Sequence, residues 1–410
     1  MTDQSFENSS PTDFLADLII LDFTRVLAGP HATRLMADLG ARVIKIERPG
    51  EGDEMRRSAI SLPGEGDHST YFVRRNAGKE SVAVDLSKAE GRAVIHDLVL
   101  HADVAIENFS PGVADKLGCG YETLRSIKPD LVYCSISGFG QSGPEAKQGA
   151  FAHVMSAASG IMYLDAGTDA PRTSHLQAAD VLAGSHAFGA VLAALIRRSR
   201  TGQGALVDVS MLESLIASED LAYASVPNGK PSMPGVRPFF GLTQIGDRWI
   251  AWQSAGAPGL WTRLCAAMGT PELEHDPVFG APGAHRTYWP EIQQFVSDWL
   301  CSFDDAESAL AALKDIRVPS ALVSTPEEVV NNPQILHREA FQSVPHAGGG
   351  EVSVTSSPYW LDGKSVPPAG PAPYQIGEHT RRVLTGLLDY DEQKIEALIT
   401  CEAVACGDSE

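Results

Sequence analysis

Cysteine is scarce in this chain. There are six in 410 residues (Cys119, Cys134, Cys265, Cys301, Cys401 and Cys406), and no two form a Cys-x-x-Cys pair. That excludes a disulfide framework and a structural zinc site, and it suits a reducing, cytoplasmic compartment. Long apolar runs are missing as well. The longest, Ala187 to Ile196, is half of the roughly 20 residues a bilayer span takes, so no membrane partner is expected. The opening stretch, MTDQSFENSSPTDF, is polar and acidic, the reverse of a signal peptide. Basic charge is short too: 32 Lys and Arg face 52 Asp and Glu, a net charge of -20. Such a surface repels polyphosphate, which argues against broad binding to nucleic acid. No His-Glu-x-x-His or similar spacing occurs among the twelve histidines, so no metal is expected. The absence of a Gly-x-Ser-x-Gly elbow argues against an α/β-hydrolase triad.

What is present reads as a globular enzyme. Hydrophobic residues at 43% and charged residues at 20% suffice for a core, and the length suits two domains. Residues 1–13 read as a disordered tail. Leu18–Phe23 is an apolar run of strand length, His31–Leu39 has helical spacing ending at Gly40, and Val43–Ile46 is a second strand. Strand, helix and strand in under 30 residues is a parallel βαβ unit. The rhythm repeats with strands at Ser81–Leu86, Asp103–Glu107, Leu131–Ile136 and Ala205–Val209, and with an Ala-rich helix at Ala178–Arg198. This predicts a doubly wound α/β sheet with its ligand at the carboxyl ends of the strands. Pro, Gly and Asn cluster over 226–238 as a linker, and 240–320 reads as a smaller unit with a strand at Trp249–Trp252.

Gly138-Phe139-Gly140-Gln141-Ser142-Gly143 matches G-x-G-x-x-G after a strand, but no apolar periodicity follows the third glycine, which points away from a dinucleotide fingerprint. Glu47 stands where a ribose-binding acid would end a second strand, yet the first turn lacks the needed glycines. Between Arg25 and Lys79 lie ten basic residues against seven acids. A basic patch on an acidic protein suits a small anionic ligand as well as an ordinary solvated face.

Several segments resemble the family III CoA-transferases, the superfamily of formyl-CoA transferase, carnitine CoA-transferase and α-methylacyl-CoA racemase. They are Leu21-Asp22-Phe23-Thr24-Arg25-Val26-Leu27-Ala28-Gly29-Pro30, Ala37 to Pro49, Asn76 to Ser81, Asp103 to Gly112, Ser137 to Gly140, Gly202 to Glu213 and Gly377 to Thr380. They span nearly the whole chain in the family's order. The resemblance implies a large Rossmann-like domain built from both chain ends (14–225 and 326–410) and a smaller α+β domain (226–325). It also implies an interlocked homodimer of ring-like subunits and coenzyme A as the ligand. By motif position Val26 and Leu27 lie along the CoA and Arg48 at its adenine end. Asn76, Lys79, Asn108, Phe109 and Lys116 line the pantetheine-phosphate groove, Lys116 at a position that is often Arg.

The resemblance further implies a nucleophilic Asp in a Gly-Tyr-Asp-x-x-x-Gln-Ala-x-Ser-Gly segment. Counting back from Ser159-Gly160 puts Ala152 there, so the expected carboxylate is absent. Three readings stay open. A nearby group substitutes, with His153 and Asp165 as candidates and Asp169 a weaker one, and CoA passes from an acyl-CoA to a carboxylic acid. Alternatively the protein is a racemase or another acyl-CoA isomerase, for which the family's positions hold Phe151, Asp180 and Ala257. Or it binds acyl-CoA without converting it. The candidate catalytic residues are therefore His153, Asp165 and Asp180.

Overall fold

The computed structural model describes residues 13–58, 60, 62, 68–232, 234–235, 239–254, 259–281 and 284–407. The expected N-terminal tail, apart from Asp13, and Ala257 lie outside the described residues. The chain forms two compact units, Met1–Ser232 with Pro333–Glu410, and Met233–Asn332.

The larger unit is built on one sheet. Its strands are β1 (Ile19–Asp22), β2 (Arg42–Glu47), β3 (Glu80–Val84), β4 (Val104–Glu107), β5 (Val132–Ser137) and β6 (Ala205–Ser210). Across the sheet they run β3-β2-β1-β4-β5-β6, all parallel, and Val404–Ala405 adds an antiparallel edge beside β3. Neighbouring residues of a strand feed opposite cores, as a sheet covered on both faces requires. Ile20, Val43, Val104 and Val132 face one layer, with Ala32 and Met36 of α1 (Ala28–Asp38). Leu21, Ile44, Val82 and Ala105 face the other, where α3 (Ala89–Val99) supplies Val94, Ile95 and Leu98. Between these helices in the chain, α2 (Thr70–Asn76) is capped by Ser69, whose hydroxyl accepts from the Phe72 N–H.

The strand order reverses between β1 and β4, so the crevice at their carboxyl ends is the topological switch point where doubly wound sheets bind ligands. Beside it lie α4 (Val113–Lys116), the start of α6 (Ala152–Ala158) and α8 (Ala178–Thr201), while α5 (Tyr121–Ile127) and α7 (Ile161–Ala166) follow α4 and α6 in the chain. Helix α8 is longer than the apolar run alone indicates. By length and composition it could cross a membrane, but Ala179, Ala183, Ala187 and Val191 pack into the sheet layer.

The smaller unit has an antiparallel sheet of β7 (Phe240–Ile245), β8 (Arg248–Gln253) and β9 (Ser320–Leu322). Trp252, Leu264, Trp289, Ile292 and Leu313 make its core, and the Trp252 indole donates to the Thr243 hydroxyl at 2.9 Å.

Candidate active site

The β1–α1 loop is held from the ends of β4 and β2 and from the segment that follows β2. Asn108, just past β4, clamps Arg25: its Oδ1 accepts from the Arg25 N–H at 3.0 Å and its Nδ2 donates to the Arg25 carbonyl at 2.8 Å. Lys45 of β2 donates to the Thr24 carbonyl at 2.7 Å and pairs with Asp53 at 2.9 Å. Asp53 Oδ1 accepts from the Val26 N–H at 3.2 Å, which fixes Val26 at φ 67°, a region β-branched residues avoid. With its backbone thus fixed, the loop leaves the Arg25 side chain exposed in the crevice, without an ion pair among the described residues.

Beneath the loop lies a fully buried polar layer. Asp22, at the end of β1, accepts from Lys79 Nζ at 2.9 Å and from the Thr33 hydroxyl at 2.7 Å. Burial alone would raise the Asp22 pKa, but Lys79, Lys45 and Thr24 outweigh it and hold the carboxyl at about 2. Glu47 pairs with Arg56 at 2.6 Å and accepts from Ser81 at 2.6 Å. Burial opposes its ionisation, and Arg56 with Lys45 and Ser81 still brings it to about 2. Glu47 therefore carries the loop's foundation, with its carboxylate engaged inside the protein.

Two cavities open above this layer. One, of about 330 Å³, lies over the ends of β1, β2 and β3 and is lined by Phe23, Lys45, Arg48, Leu86, Val113 and Leu117 among others. The other, of about 220 Å³, reaches the ends of β4 and β5 and is lined by Val26, Asn108, Ser137, Phe151 and Asp180 among others. Arg25 and Phe109 line both. The glycine loop after β5 borders the second cavity through Gly138. A Cβ there would lie 2.1 Å from the Ala150 Cβ, so glycine permits the close approach of that loop. The next helix begins only at Ala152, so no helix opens on Gly143.

The structure sorts the sequence candidates. Val26 lines the second cavity, Leu27 is buried at the start of α1, and Asn108 and Phe109 stand at the crevice. Arg48 lies on the rim of the first cavity, exposed and paired with Glu51 at 3.1 Å. Lys116 is exposed on α4, whose Val113 and Leu117 line that cavity. Asn76 and Lys79 are a correction: both are buried and line neither cavity. Lys79 Nζ is taken up by Asp22, Thr33 (2.7 Å) and Asn76 (3.0 Å), so its charge is neutralised inside the fold.

Ala152 is the first residue of α6 and packs in the core with Met155 and Ala183. His153 and Asp165 are exposed and line neither cavity, and Asp169 is exposed beside Arg172 at 3.9 Å. Asp180, in the first turn of α8, does line the second cavity. Burial raises its pKa to about 6, against the opposing pull of its own backbone N–H, Arg75, His153 and the Ala28 N–H. Glu54 lines the same cavity but is exposed.

Sequence reasoning passed over two groups. Ser137 is buried, lines the second cavity and has a hydroxyl without a partner among the described residues. Arg25 lines both cavities. Each lies in a segment that carried the family resemblance, and only the fold turned its side chain into the crevice. Among the described residues, no three His, Cys, Asp or Glu side chains gather as a metal site.

A parallel sheet with a switch-point crevice and a desolvated carboxylate at a helix start is the frame of an α/β enzyme. Residues 15–380 match the model of CoA-transferase family III, and the chain belongs to that family. It is 32% identical over 403 residues to a succinyl-CoA:glutarate CoA-transferase of Mus musculus, covering 94% of this chain and 88% of that one. It is 35% identical over 387 residues to a succinyl-CoA:mesaconate CoA-transferase of Haloarcula hispanica, covering 90% and 95%. Among solved structures it resembles Rv3272 of Mycobacterium tuberculosis (TM-score 0.79, 29% identity, 91% and 99% covered). It also resembles a CAIB/BAIF family protein of Brucella suis (TM-score 0.76, 29% identity, 90% and 98% covered).

Proposed function

We propose that this protein moves CoA from an acyl-CoA to a carboxylic acid, with Asp180 as the carboxylate that takes up the acyl group. The observation that carries the reading is that Asp180 alone of the candidate catalytic residues lines the cavity, half-buried and with a raised pKa. The missing acid at Ala152 then requires no substitute on α6 or α7. A desolvated carboxylate is a stronger nucleophile than a hydrated one, and the basic conjugate of an acid near 6 is ionised at neutral pH.

The steps balance without a cofactor beyond CoA. An Asp180 oxygen attacks the thioester carbonyl, the C–S bond breaks, and CoA leaves as thiolate from a mixed anhydride. The thiolate then attacks the Asp180 carbonyl, releasing the donor acid and leaving an aspartyl-CoA thioester. The acceptor carboxylate attacks that thioester and forms a second anhydride. Attack of the thiolate on the acceptor's carbonyl yields the new acyl-CoA and frees Asp180. Arg48 and Lys116 suit the phosphate end of CoA at the rim of the first cavity. Phe109, Val113 and Leu117 suit its apolar arm, and the Ser137 hydroxyl suits an oxygen of the reacting acyl group.

His153 lies near enough to Asp180 to act on its charge, which supports a second reading, α-proton exchange on an acyl-CoA. The assembly we propose is the family's interlocked homodimer, in the cytoplasm. Its support is the apolar surface left uncovered at Ile196 of α8 and at Leu206 on the edge strand β6.

The test is Asp180→Ala and Asp180→Asn with succinyl-CoA and glutarate, alongside hydroxylamine trapping and mass spectrometry of the wild type. Turnover should fall by about 10³-fold or more, and the trapped label should map to Asp180. Wild-type turnover in either variant overturns the assignment, and deuterium uptake at the α-carbon without transfer would favour the exchange reading.

A further inference from the structure

The first turns of α8 face a group of cations from α1 and α2. Tyr71 donates to the Gln177 side chain at 2.6 Å, which brings α2 against the start of α8. One turn further along α2, Arg75 Nη1 lies 2.9 Å from His31 Nδ1, and His31 Nε2 lies 3.2 Å from the Ser185 hydroxyl. Ser185 donates its own proton to the Val181 carbonyl, so it accepts from His31 Nε2–H, and His31 Nδ1 is left to accept from Arg75. The imidazole is neutral, because burial and the charges of Arg75 and Arg74 depress it to about 3.

Arg75 therefore gives one of its N–H donors to a neutral ring. No carboxylate lies within ion-pair distance of it among the described residues, although Asp180 is near enough to act on its charge. Arg74 is exposed: its Nε donates to the Thr355 hydroxyl at 3.2 Å, and no acid pairs with it among the described residues. Asp38 is engaged by Arg34 at 2.6 Å, so it supplies no counter-charge to the other two. The partly buried guanidinium of Arg75, without a counter-ion, is uphill until an anion completes it.

We propose that Arg75, with Arg74 beside it, binds the distal carboxylate of the acyl group and makes the protein selective for dicarboxylic acids. The proposal rests on Asp180 as the acyl acceptor and names the substrate class of that site. Acylation of Asp180 removes a negative charge that acts on Arg75, and a dicarboxylic acyl group restores one in the same step. A guanidinium fork suits a carboxylate in two-point contact, and a neutral acyl chain would leave it unpaired. Succinate, glutarate and mesaconate, in the names of the relatives above, all carry two carboxylates.

The experiment compares single-turnover CoA release from succinyl-CoA and from butyryl-CoA, which has a methyl group in place of the second carboxylate. The wild type should prefer succinyl-CoA by about 10- to 100-fold, the worth of one charge-assisted contact. Arg75→Gln should abolish most of that preference and Arg75→Lys should keep part of it. A preference unchanged in Arg75→Gln, or absent from the wild type, overturns the proposal. Should the wild type release CoA from neither ester, the Asp180 reading fails instead. Calorimetric titration of glutarate and valerate into the CoA-bound protein then decides Arg75 alone. Glutarate binding that Arg75→Gln loses supports it, and equal binding of the two acids or equal glutarate affinity in both proteins overturns it.

Discussion

Lys79→Met separates the two roles that Lys79 could have. If the ammonium belongs to the interior, as its bonds to Asp22, Thr33 and Asn76 indicate, its loss leaves the Asp22 carboxylate buried with only the more distant Lys45 to offset it. Breaking a buried pair by removing one partner costs about 3–5 kcal/mol. The pH dependence has a definite sign. Asp22 is held at about 2, below its usual 3.8, so the stability it contributes is present above 3.8 and lost as pH falls towards 2. The deficit of Lys79→Met should therefore be full at neutral pH and shrink in acid. Removing both charges in Asp22→Asn/Lys79→Met should recover most of it, because no unpaired charge then remains. Urea unfolding followed by far-ultraviolet circular dichroism measures the loss. Tryptophan fluorescence reports mainly the smaller unit, which holds five of the six tryptophans (Trp249, Trp252, Trp261, Trp289 and Trp299, with Trp360 in the larger unit), and should change little. A loss below about 1 kcal/mol, together with a collapse of CoA affinity, would refute the interior assignment and restore Lys79 to the ligand.

Asp180 titrates near 6, so kcat/KM should fall as pH drops through that value, and a profile flat down to pH 5 would contradict it. Because its folded pKa lies above 3.8, ionised Asp180 costs stability above pH 6, and Asp180→Asn should be more stable at pH 7.5 by on the order of 2 kcal/mol. Thermal unfolding of the inactive variant checks it, and a destabilised variant would refute it. Arg48→Ala should weaken CoA by only about 3- to 10-fold, less as salt rises, since the side chain is exposed and shared with Glu51. Calorimetry at two salt concentrations tests that, and a larger, salt-independent loss would mean a buried contact. Ala152→Asp should lose stability without gaining transfer, because its carboxylate would enter the core beside Met155 and Ala183. A gain in turnover would refute that placement.

The parallel sheet was legible because strands buried on both faces read as mostly apolar runs, such as Leu18–Phe23 and Val43–Ile46, each broken by a single charged residue, Asp22 or Lys45, and ended by a polar residue. Helix α2 was not. Its seven residues, TYFVRRN, carry two arginines and no clear apolar stripe, and its capping by Ser69 became visible only in the fold. Helix α6 was hidden by small residues, since alanine and serine give a weak periodic signal, and α7, IMYLDA, is too short for its apolar run to tell helix from strand. The residues around the crevice divide in the same way. The motif placed Asn108 and Phe109 beside the crevice that they line, whereas a lysine in a basic segment looks the same whether it meets a phosphate or a buried aspartate. Only the register of β1 beside β2 and the burial of Asp22 tell Lys79 from Arg48.

The same distinction governs the apparent gap at Ala152. Counting along a motif locates a position in the chain, but chemistry depends on which side of a helix faces the cavity. At the start of α6 the cavity receives the exposed ring of Phe151, while the methyl of Ala152 turns into the layer that contains Ala179 and Ala183 of α8. A carboxylate at 152 would enter that apolar layer, next to the turn of α8 that bears Asp180. Two acids so placed would raise each other's pKa, and at most one would remain an effective nucleophile at neutral pH. With alanine there, Asp180 keeps a pKa near 6 among Arg75, His153 and the Ala28 N–H, ionised at neutral pH yet poorly solvated. The alanine thus fits the proposal that the reactive carboxylate comes from the first turn of α8.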